Sequence, residues 1–191
     1  MRKPFLRPEG LFLLVLLALL TACSSKTTVE SDLAIEGAPD WVNEGTNILK
    51  TKDGRLFHGV GSAPPLGDFS LQTSTADNRA RAEVARILSS YMEIVSRDYI
   101  ASGKAGEAGF TEQSVSRQID NITRINLTGV RIIAHWRDDK KNSVIYSLAE
   151  LDMDQVKSIL GRVGDMNAGL KQYLDKQGGK IFDRIAITKE D

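Results

Sequence analysis

The sequence contains little cysteine and little histidine, which limits the chemistry open to it. Cys23 is the one cysteine in 191 residues, and an exported chain with a single cysteine has no intramolecular disulfide available. The two histidines, His58 and His135, lie far apart, and neither stands at ligand spacing from cysteine or from paired carboxylates. We therefore predict no metal site and interpret each histidine as a surface or cross-strand residue.

An excess of charge of either sign is also missing. The chain carries 25 basic and 25 acidic residues. Residues 1–22 hold three of the basic residues and one of the acidic ones, so the remainder has 22 and 24, a net charge of −2. No basic surplus is available to attract nucleic acid or anionic lipid headgroups. We therefore expect no nucleic-acid partner, and membrane attachment must have another source.

Short motifs of common enzyme active sites are absent from the sequence. Gly59-Val60-Gly61 resembles the first half of a dinucleotide fingerprint, but Pro64 stands where the third glycine belongs. We interpret these glycines as a site of close helix–strand packing or a tight strand end. No serine lies in a Gly-x-Ser-x-Gly elbow. The sequence thus predicts no catalytic residue and no cofactor, and an enzyme without a short motif is the alternative.

Two pairs of residues have both a functional and a structural interpretation. Asp138-Asp139 could bind a metal, but beside Lys140-Lys141 the two carboxylates are typical of a solvated hairpin tip. Trp41 and Trp136 could form a platform for a ligand or a peptidoglycan sugar. We interpret both tryptophans as core or rim aromatics.

The most informative feature that is present lies at the N-terminus. Three basic residues, Arg2, Lys3 and Arg7, precede the apolar run Leu11–Leu20, which has no polar side chain. This run is far shorter than the ~20 residues that cross a bilayer. A basic start, a short apolar run and small residues before a boundary are typical of a secretory signal peptide. Leu20-Thr21-Ala22-Cys23 resembles the lipobox of bacterial lipoproteins: an aliphatic residue, two small residues and cysteine.

The lipobox resemblance implies that residues 1–22 are a signal peptide and that the mature chain begins at Cys23. In such lipoproteins the cysteine thiol receives a diacylglycerol, and the freed amine is acylated, so that palmitate-type chains hold the protein at the membrane. An aspartate after the cysteine usually retains the product at the inner membrane, and Ser24 does not match it. The resemblance therefore implies the outer membrane, facing the periplasm. An ordinary signal with an incidental cysteine is the alternative.

The sequence after Cys23 divides into a tether and one domain. Residues 23–37 are polar and lack hydrophobic periodicity, which predicts a flexible tether. Residues 38–191 are enough for a single domain. Lys52–Arg55 is a turn signal, Leu56–Ala63 is typical of a strand, and Pro64–Asp68 breaks the chain.

A long amphipathic helix is predicted to begin at Ser74, with Asp77 three residues later in a capping position. Its apolar stripe recurs at three- and four-residue spacing. The stripe consists of Ala76, Ala80, Val84, Ile87, Leu88, Tyr91, Val95 and Tyr99. Arg79, Arg81 and Arg86 could bind a polyanion, but beside acidic neighbours they are typical of a solvated, salt-bridged helix face.

The second half of the chain predicts a loop, two helices and a hairpin between them. Residues 101–109 hold three glycines and no large apolar residue, as in a loop. A shorter helix follows, with Val115, Ile119 and Ile122 on one face. A last helix is predicted from about Met153. Its apolar stripe is Val156, Ile159, Leu160, Val163, Leu170, Tyr173 and Leu174.

Two alternating runs around the charged turn Asp138–Asn142 predict a β-hairpin over 130–137 and 144–151. One face of the first strand would be buried and the other would carry Arg131, His135 and Arg137. Taken together, the elements predict an α+β fold. A small antiparallel sheet packs against a long amphipathic helix, with an additional C-terminal helix.

Three segments, in order, resemble the Lpp-twenty family of outer-membrane lipoproteins, which includes envelope antigens and FlgP-type flagellar lipoproteins. They are Pro39-Asp40-Trp41-Val42, the Gly59–Ala63 strand and the Ala76–Arg86 stretch of the helix, all downstream of the lipobox. The resemblance covers most of the mature domain, but not the glycine-rich loop or the long C-terminal helix. It implies a lipoprotein without known catalysis, used in envelope or flagellar assembly.

We therefore expect a structural or assembly role at the outer membrane, associated with the flagellum or with motility. Sheet edges and an amphipathic helix favour a homo-oligomer, with flagellar or envelope proteins as further partners. The alternative is an envelope binding module that captures a glycan or a hydrophobic ligand.

The lipobox yields a direct test at Cys23. If the cysteine is acylated, the mature protein should begin at Cys23 and carry two or three acyl chains in intact mass spectrometry. Cys23→Ser should leave an unprocessed or mislocalised precursor, because the modified thiol is gone. A mature chain with an unmodified Cys23 would contradict the anchor.

Overall fold

The computed structural model describes residues 34–103, 129–140, 142–160 and 167–188, together with Ser114, Arg117, Gln118 and Asp120. The chain divides into two units, Met1–Ala34 and Ile35–Asp191. Val115, Ile119, Ile122 and residues 104–109 of the predicted loop lie outside the described residues. The elements, in chain order, are α1 (Asp40–Glu44), β1 (Asn47–Thr51), β2 (Gly54–Ala63), α2 (Phe69–Ala101), β3 (Arg131–Arg137), β4 (Ile145–Asp152), α3 (Met153–Leu160), α4 (Ala168–Ile185) and β5 (Ile187–Thr188).

The strands form one sheet in the order β3-β4-β2-β1-β5. β1, β2, β4 and β3 are antiparallel to their neighbours, and the two-residue β5 pairs with β1 in parallel. The predicted α+β class is confirmed: a small antiparallel sheet, a long helix and a C-terminal helix. Strand β1 is an addition to the prediction. Its five residues are too few for a clear alternation, and its pairing with residues 54–58 across the predicted turn makes it a strand.

Helix α2 begins five residues earlier than predicted, at Phe69. Its N-cap is Asp68, whose Oδ1 accepts a hydrogen bond of 2.9 Å from the Leu71 amide. Ser74 is not a cap but lies one turn inside, where its hydroxyl donates to the Leu71 carbonyl at 3.0 Å. The break at Pro64–Gly67 leads directly to Asp68, and a carboxylate there satisfies an amide that the helix leaves without an intrahelical partner.

The predicted stripe of α2 is the centre of the core, since all eight of its residues are buried. Around it, Phe57 of β2 meets Tyr91 and Phe182 edge to face, with ring centroids 5.5 and 5.1 Å apart. The Tyr91 hydroxyl donates to the Gly178 carbonyl of α4 at 2.9 Å. Burial raises the pKa of Tyr91, so the phenol stays protonated and keeps this hydrogen bond at ordinary pH. Sheet, α2 and α4 therefore share one core.

Gly59 and Gly61 of β2 face the backbone of α2 at very short range. A methyl group at Gly59 would lie 2.7 Å from the Val84 amide nitrogen, and one at Gly61 would lie 2.5 Å from the Ala76 carbonyl oxygen. Neither distance leaves room for a side chain. The interpretation of these glycines as a site of close helix–strand packing is confirmed, because the helix backbone occupies the space that a side chain would need.

The C-terminal segment forms two helices instead of the one predicted. α4 has an N-cap of its own at Asn167, whose Oδ1 accepts from the Leu170 amide at 2.8 Å. It continues to Ile185, beyond the predicted end near Leu174. The Asn167 side chain bonds to the backbone at a helix start, which favours a new helix there over continuation of the preceding one. Val163, assigned above to the apolar stripe, lies outside the described residues.

An ion-pair network joins α4 to the β1–β2 hairpin. Arg55 donates two hydrogen bonds, of 2.7 and 2.8 Å, to the two carboxylate oxygens of Asp183. Lys50 lies 3.3 Å from the same carboxylate. The hydrogen bond from Arg55 is the main reason that the pKa of Asp183 falls from 3.8 to about 2.

The close packing at Gly61 predicts the effect of a single added methyl group. Gly61→Ala should lower the free energy of unfolding by about 3 kcal/mol or more, because helix backbone cannot move aside as a flexible side chain can. Ser62→Ala is the matched control, since it changes the neighbouring residue without adding atoms. Urea denaturation followed by circular dichroism measures both. Equal stability of the two variants would contradict the close packing.

The low pKa of Asp183 predicts a pH dependence of stability. A carboxylate whose pKa is lowered on folding stabilises the fold above its unfolded pKa, and this contribution is lost as pH falls through the folded value. For Asp183 the window runs from about pH 4 down to about pH 2. Asp183→Asn should lower the midpoint of thermal unfolding at pH 7 and flatten its decline within this window. Asp175→Asn, at an exposed position of α4, should change neither.

Candidate functional site

An open cavity of about 640 Å³ lies where β3 ends, β4 begins and α2 starts. Aromatic and aliphatic side chains contribute to its wall beside a cation and an anion. Its lining consists of Phe69, Thr73, His135, Trp136, Arg137, Asp139 and Ile145. Such a mixture of apolar surface and a few polar groups is common in small-ligand sites.

Gln72 fixes the start of α2 against the sheet beside this cavity. Its buried Nε2 donates to the Ala63 carbonyl at 3.0 Å and to the Ser143 carbonyl at 2.8 Å. One side chain thereby joins the end of β2 to the turn between β3 and β4. Below it, Ala63, Ala76 and Ile145 form a small buried cluster separate from the main core.

A β-bulge in the edge strand β3 places Arg131 and His135 on opposite faces of the sheet, although they would share a face in a regular strand. The register on β4 shifts between the second and fourth residues of β3. Before the shift, Arg131 lies opposite Glu150, and after it, His135 lies opposite Ser147, which contacts α2. The prediction that Arg131, His135 and Arg137 share one face is therefore wrong. An extra residue on one strand reverses the alternation that follows it.

Asp77 of α2 receives two groups from the sheet. Its Oδ1 accepts from the Ser147 hydroxyl at 2.7 Å and lies 2.7 Å from His135 Nε2. In a serine nucleophile site the histidine accepts the hydroxyl proton. Here the hydroxyl and the imidazole both point to the carboxylate, and Ser147 is fully buried. The arrangement can join β3 and β4 to α2, but it does not present an activated nucleophile.

The other histidine belongs to a cluster on the face of the sheet away from α2. His58 Nε2 lies 3.0 Å from Glu150 Oε2, and the two residues are paired across β2 and β4. Arg131 of the edge strand donates to the second oxygen of Glu150 at 3.3 Å. The interpretation of His58 as a cross-strand residue is confirmed, and the cluster crosslinks three strands.

The acidic pair at the hairpin turn is only partly as predicted. Asp139 is exposed and pairs with Arg137. Asp138 is buried, and its Oδ1 accepts from the Lys140 amide at 3.1 Å. The prediction of a solvated pair is thus wrong for Asp138, because its carboxylate turns inward to satisfy the backbone of the turn. Within the described ranges, no group of three or more His, Cys, Asp or Glu side chains could hold a metal ion.

Two of the three arginines singled out on α2, Arg79 and Arg86, have local partners. Arg86 pairs with Glu83 at 2.9 Å, as expected for a salt-bridged helix face. Arg79 instead donates to the Ser62 carbonyl of β2 at 2.5 Å. Both contacts are within the domain, which favours the structural interpretation of these residues over a polyanion site.

The two tryptophans lie in different parts of the domain. Trp136 is half-buried, packs on Tyr146 with ring centroids 5.5 Å apart, and lines the cavity. Trp41 is half-buried in the short helix α1 and is not among the cavity residues. Burial, and secondly the charge of Asp138, raises the pKa of Tyr146. Because Trp136 is half-buried and lines the cavity, it is a rim aromatic that a ligand in the cavity would touch.

Cys23, the predicted lipid attachment site, lies outside the described residues. In the part of the chain that the structure describes, none of the helices is long and apolar enough to cross a bilayer. No known protein family matches the chain, and no curated protein matches it either. The resemblance to Lpp-twenty lipoproteins thus stays a prediction from short motifs.

Proposed function

We propose that this protein is a lipid-anchored outer-membrane lipoprotein that faces the periplasm and has a structural or assembly role in the cell envelope. The observation that carries the proposal is the lipobox Leu20-Thr21-Ala22-Cys23, which directly follows a short apolar run. The order of the Trp41, Gly59–Ala63 and Ala76–Arg86 motifs after it favours a role associated with the flagellum or with motility.

The polar clusters of the domain support a non-catalytic role. Asp77 binds a buried serine and a histidine of two strands, Glu150 binds His58 and Arg131, and each cluster crosslinks secondary structure. A serine nucleophile needs access to substrate, whereas Ser147 is fully buried and donates to the Asp77 carboxylate. These clusters stabilise the fold, as expected of a domain that bears mechanical load or presents a binding surface to other proteins.

The sheet edge supports association between copies. Among the described residues, β3 pairs with a strand on one side only, and its Ile133 is exposed. An edge strand presents unpaired backbone donors and acceptors that a further strand can use. A homo-oligomer would repeat the binding surface of each anchored copy around an envelope or flagellar structure.

A deletion strain tests the assembly role. Loss of the protein should reduce motility or disturb outer-membrane architecture, while growth on defined carbon sources should be unchanged. Wild-type protein should restore the phenotype, and Cys23→Ser should not, because it would lack the anchor. Swimming assays and electron cryotomography of the envelope give the readouts. Normal motility and normal architecture in the deletion strain would contradict the proposal.

The cavity favours a second candidate, an envelope binding module for a glycan or a hydrophobic ligand. Trp136 and Phe69 offer aromatic surface, and Arg137 and Asp139 offer polar groups beside it. This arrangement suits a sugar, which stacks on aromatic rings and hydrogen-bonds to paired charges. In Trp41→Phe, Trp136 is the remaining tryptophan, so its fluorescence reports directly on the cavity. A saturable change on titration with peptidoglycan fragments would favour this candidate.

A further inference from the structure

The loop after β2 and the first turn of α2 expose three large apolar side chains. Leu66 is 43% exposed, Phe69 64% and Leu71 54%. They are three of the seven large hydrophobic residues that are exposed within the described part of the chain, and they fall within six consecutive positions. A cluster of this kind marks a surface that another apolar phase covers.

The geometry of the cluster fits a flat surface. Phe69 and Leu71 are the first and third residues of α2, so they lie about 200° apart around the helix axis. Apolar side chains thus surround the end of the helix instead of forming a stripe along one side. A stripe would fit a groove or a partner helix, whereas an apolar end fits a plane that the helix meets with its first turn.

The chain enters the domain at this same end. A methyl group at Gly37 would lie 3.9 Å from the Lys140 ammonium, so the start of the domain passes beside the β3–β4 turn. Asp139 of that turn lines the cavity together with Phe69. Residues 35–37, predicted above as part of the tether, belong to the domain, and the chain therefore enters it next to the exposed apolar cluster.

The tether is short enough to keep this end close to the membrane. Twelve residues lie between Cys23 and Glu36, and such a chain reaches at most about 45 Å even when fully extended. Acyl chains on Cys23 would thus hold the domain within about one domain diameter of the lipid surface. The local concentration of lipid near the exposed apolar cluster is then high, and weak apolar contacts suffice to orient the domain.

Charges of both signs lie at this end. Arg137 pairs with Asp139, and Lys140 directly follows the acidic residues Asp138 and Asp139 in the turn. Asp68 caps α2 beside the cluster. With cations and anions interleaved, a contact with lipid must come from the apolar side chains, and salt should not weaken it.

From these observations we propose that Leu66, Phe69 and Leu71, here called the apolar tip, insert into the headgroup–acyl boundary of the bilayer to which the protein is anchored. The proposal rests on the lipid anchor of the proposed function. It assigns an orientation: α2 stands on the membrane with its N-terminal turn, and the end of the sheet near Gly54 faces away from it.

The test uses the acylated protein reconstituted in vesicles of phosphatidylethanolamine and phosphatidylglycerol. Because acylation blocks the thiol of Cys23, a cysteine introduced by Leu66→Cys is the one site that accepts a nitrobenzoxadiazole fluorophore. The matched control is Ile187→Cys, since Ile187 is 62% exposed but lies in β5 at the far edge of the sheet. The Leu66 probe should shift to the blue and be quenched by shallow spin-labelled lipid, and the Ile187 probe should remain in water.

A second pair of variants tests which side chains hold the tip in lipid. Phe69→Ser combined with Leu71→Ser should reduce the lipid-embedded population of the Leu66 probe on the order of tenfold. Ile187→Ser removes a similarly exposed apolar side chain and should leave the population unchanged. Raising the salt concentration should also leave it unchanged. All these residues are exposed, so the variants are expected to fold, and circular dichroism checks this.

Three results would overturn the proposal, and they differ from one another. If the protein does not float with the vesicles, the anchor fails and the inference fails with it. If the protein floats but the Leu66 and Ile187 probes are equally exposed to water, the inference alone fails. If the Leu66 probe is shielded from water without quenching by lipid, and Leu66→Cys crosslinks between copies, then a second copy of this chain covers the tip.

Discussion

The contact between the backbones of β2 and α2 sets the geometry on which the other contacts depend. Gly59 and Gly61 bring the strand against the helix from Ala76 to Val84, with no side chain between them. At that distance, Asp77 can reach Ser147 of the neighbouring strand. Side chains on the same helix face then meet Phe57 and α4 in one core. A larger residue in the strand would separate the layers and weaken all of these contacts together.

The sequence predicts the parts of the fold that repeat a local pattern over many residues. The stripe of α2 extends over 24 residues from Ala76 to Tyr99, and the two strands of the predicted hairpin, β3 and β4, can be identified from their alternation. The errors occur where one residue decides the outcome. Asp68 takes the N-cap instead of Ser74, Asn167 divides the C-terminal helix, and one inserted residue in β3 moves His135 to the other face. Hydrophobic periodicity contains no information about such single-residue choices.

The candidate site could not be predicted from the sequence, for a different reason. The cavity draws its lining from the start of α2, the end of β3 and the first residue of β4, and these segments carry no shared spacing. Likewise, Arg55 and Asp183 are 128 residues apart and meet only through the fold. Trp136 is a candidate for ligand contact from the sequence, but the residues beside it depend on the tertiary contacts made by Gln72.

The two edges of the sheet differ in how much of their backbone is already paired. At one edge, β5 pairs in parallel with Leu49 and Lys50 at the middle of β1. At the other, β3 has no further strand beside it in the described part of the chain. A two-residue edge strand leaves few unpaired backbone groups for a further strand, so β3 is the edge better suited to strand pairing between copies. Two copies that paired β3 with β3 would form a two-fold arrangement with β5 at each outer edge.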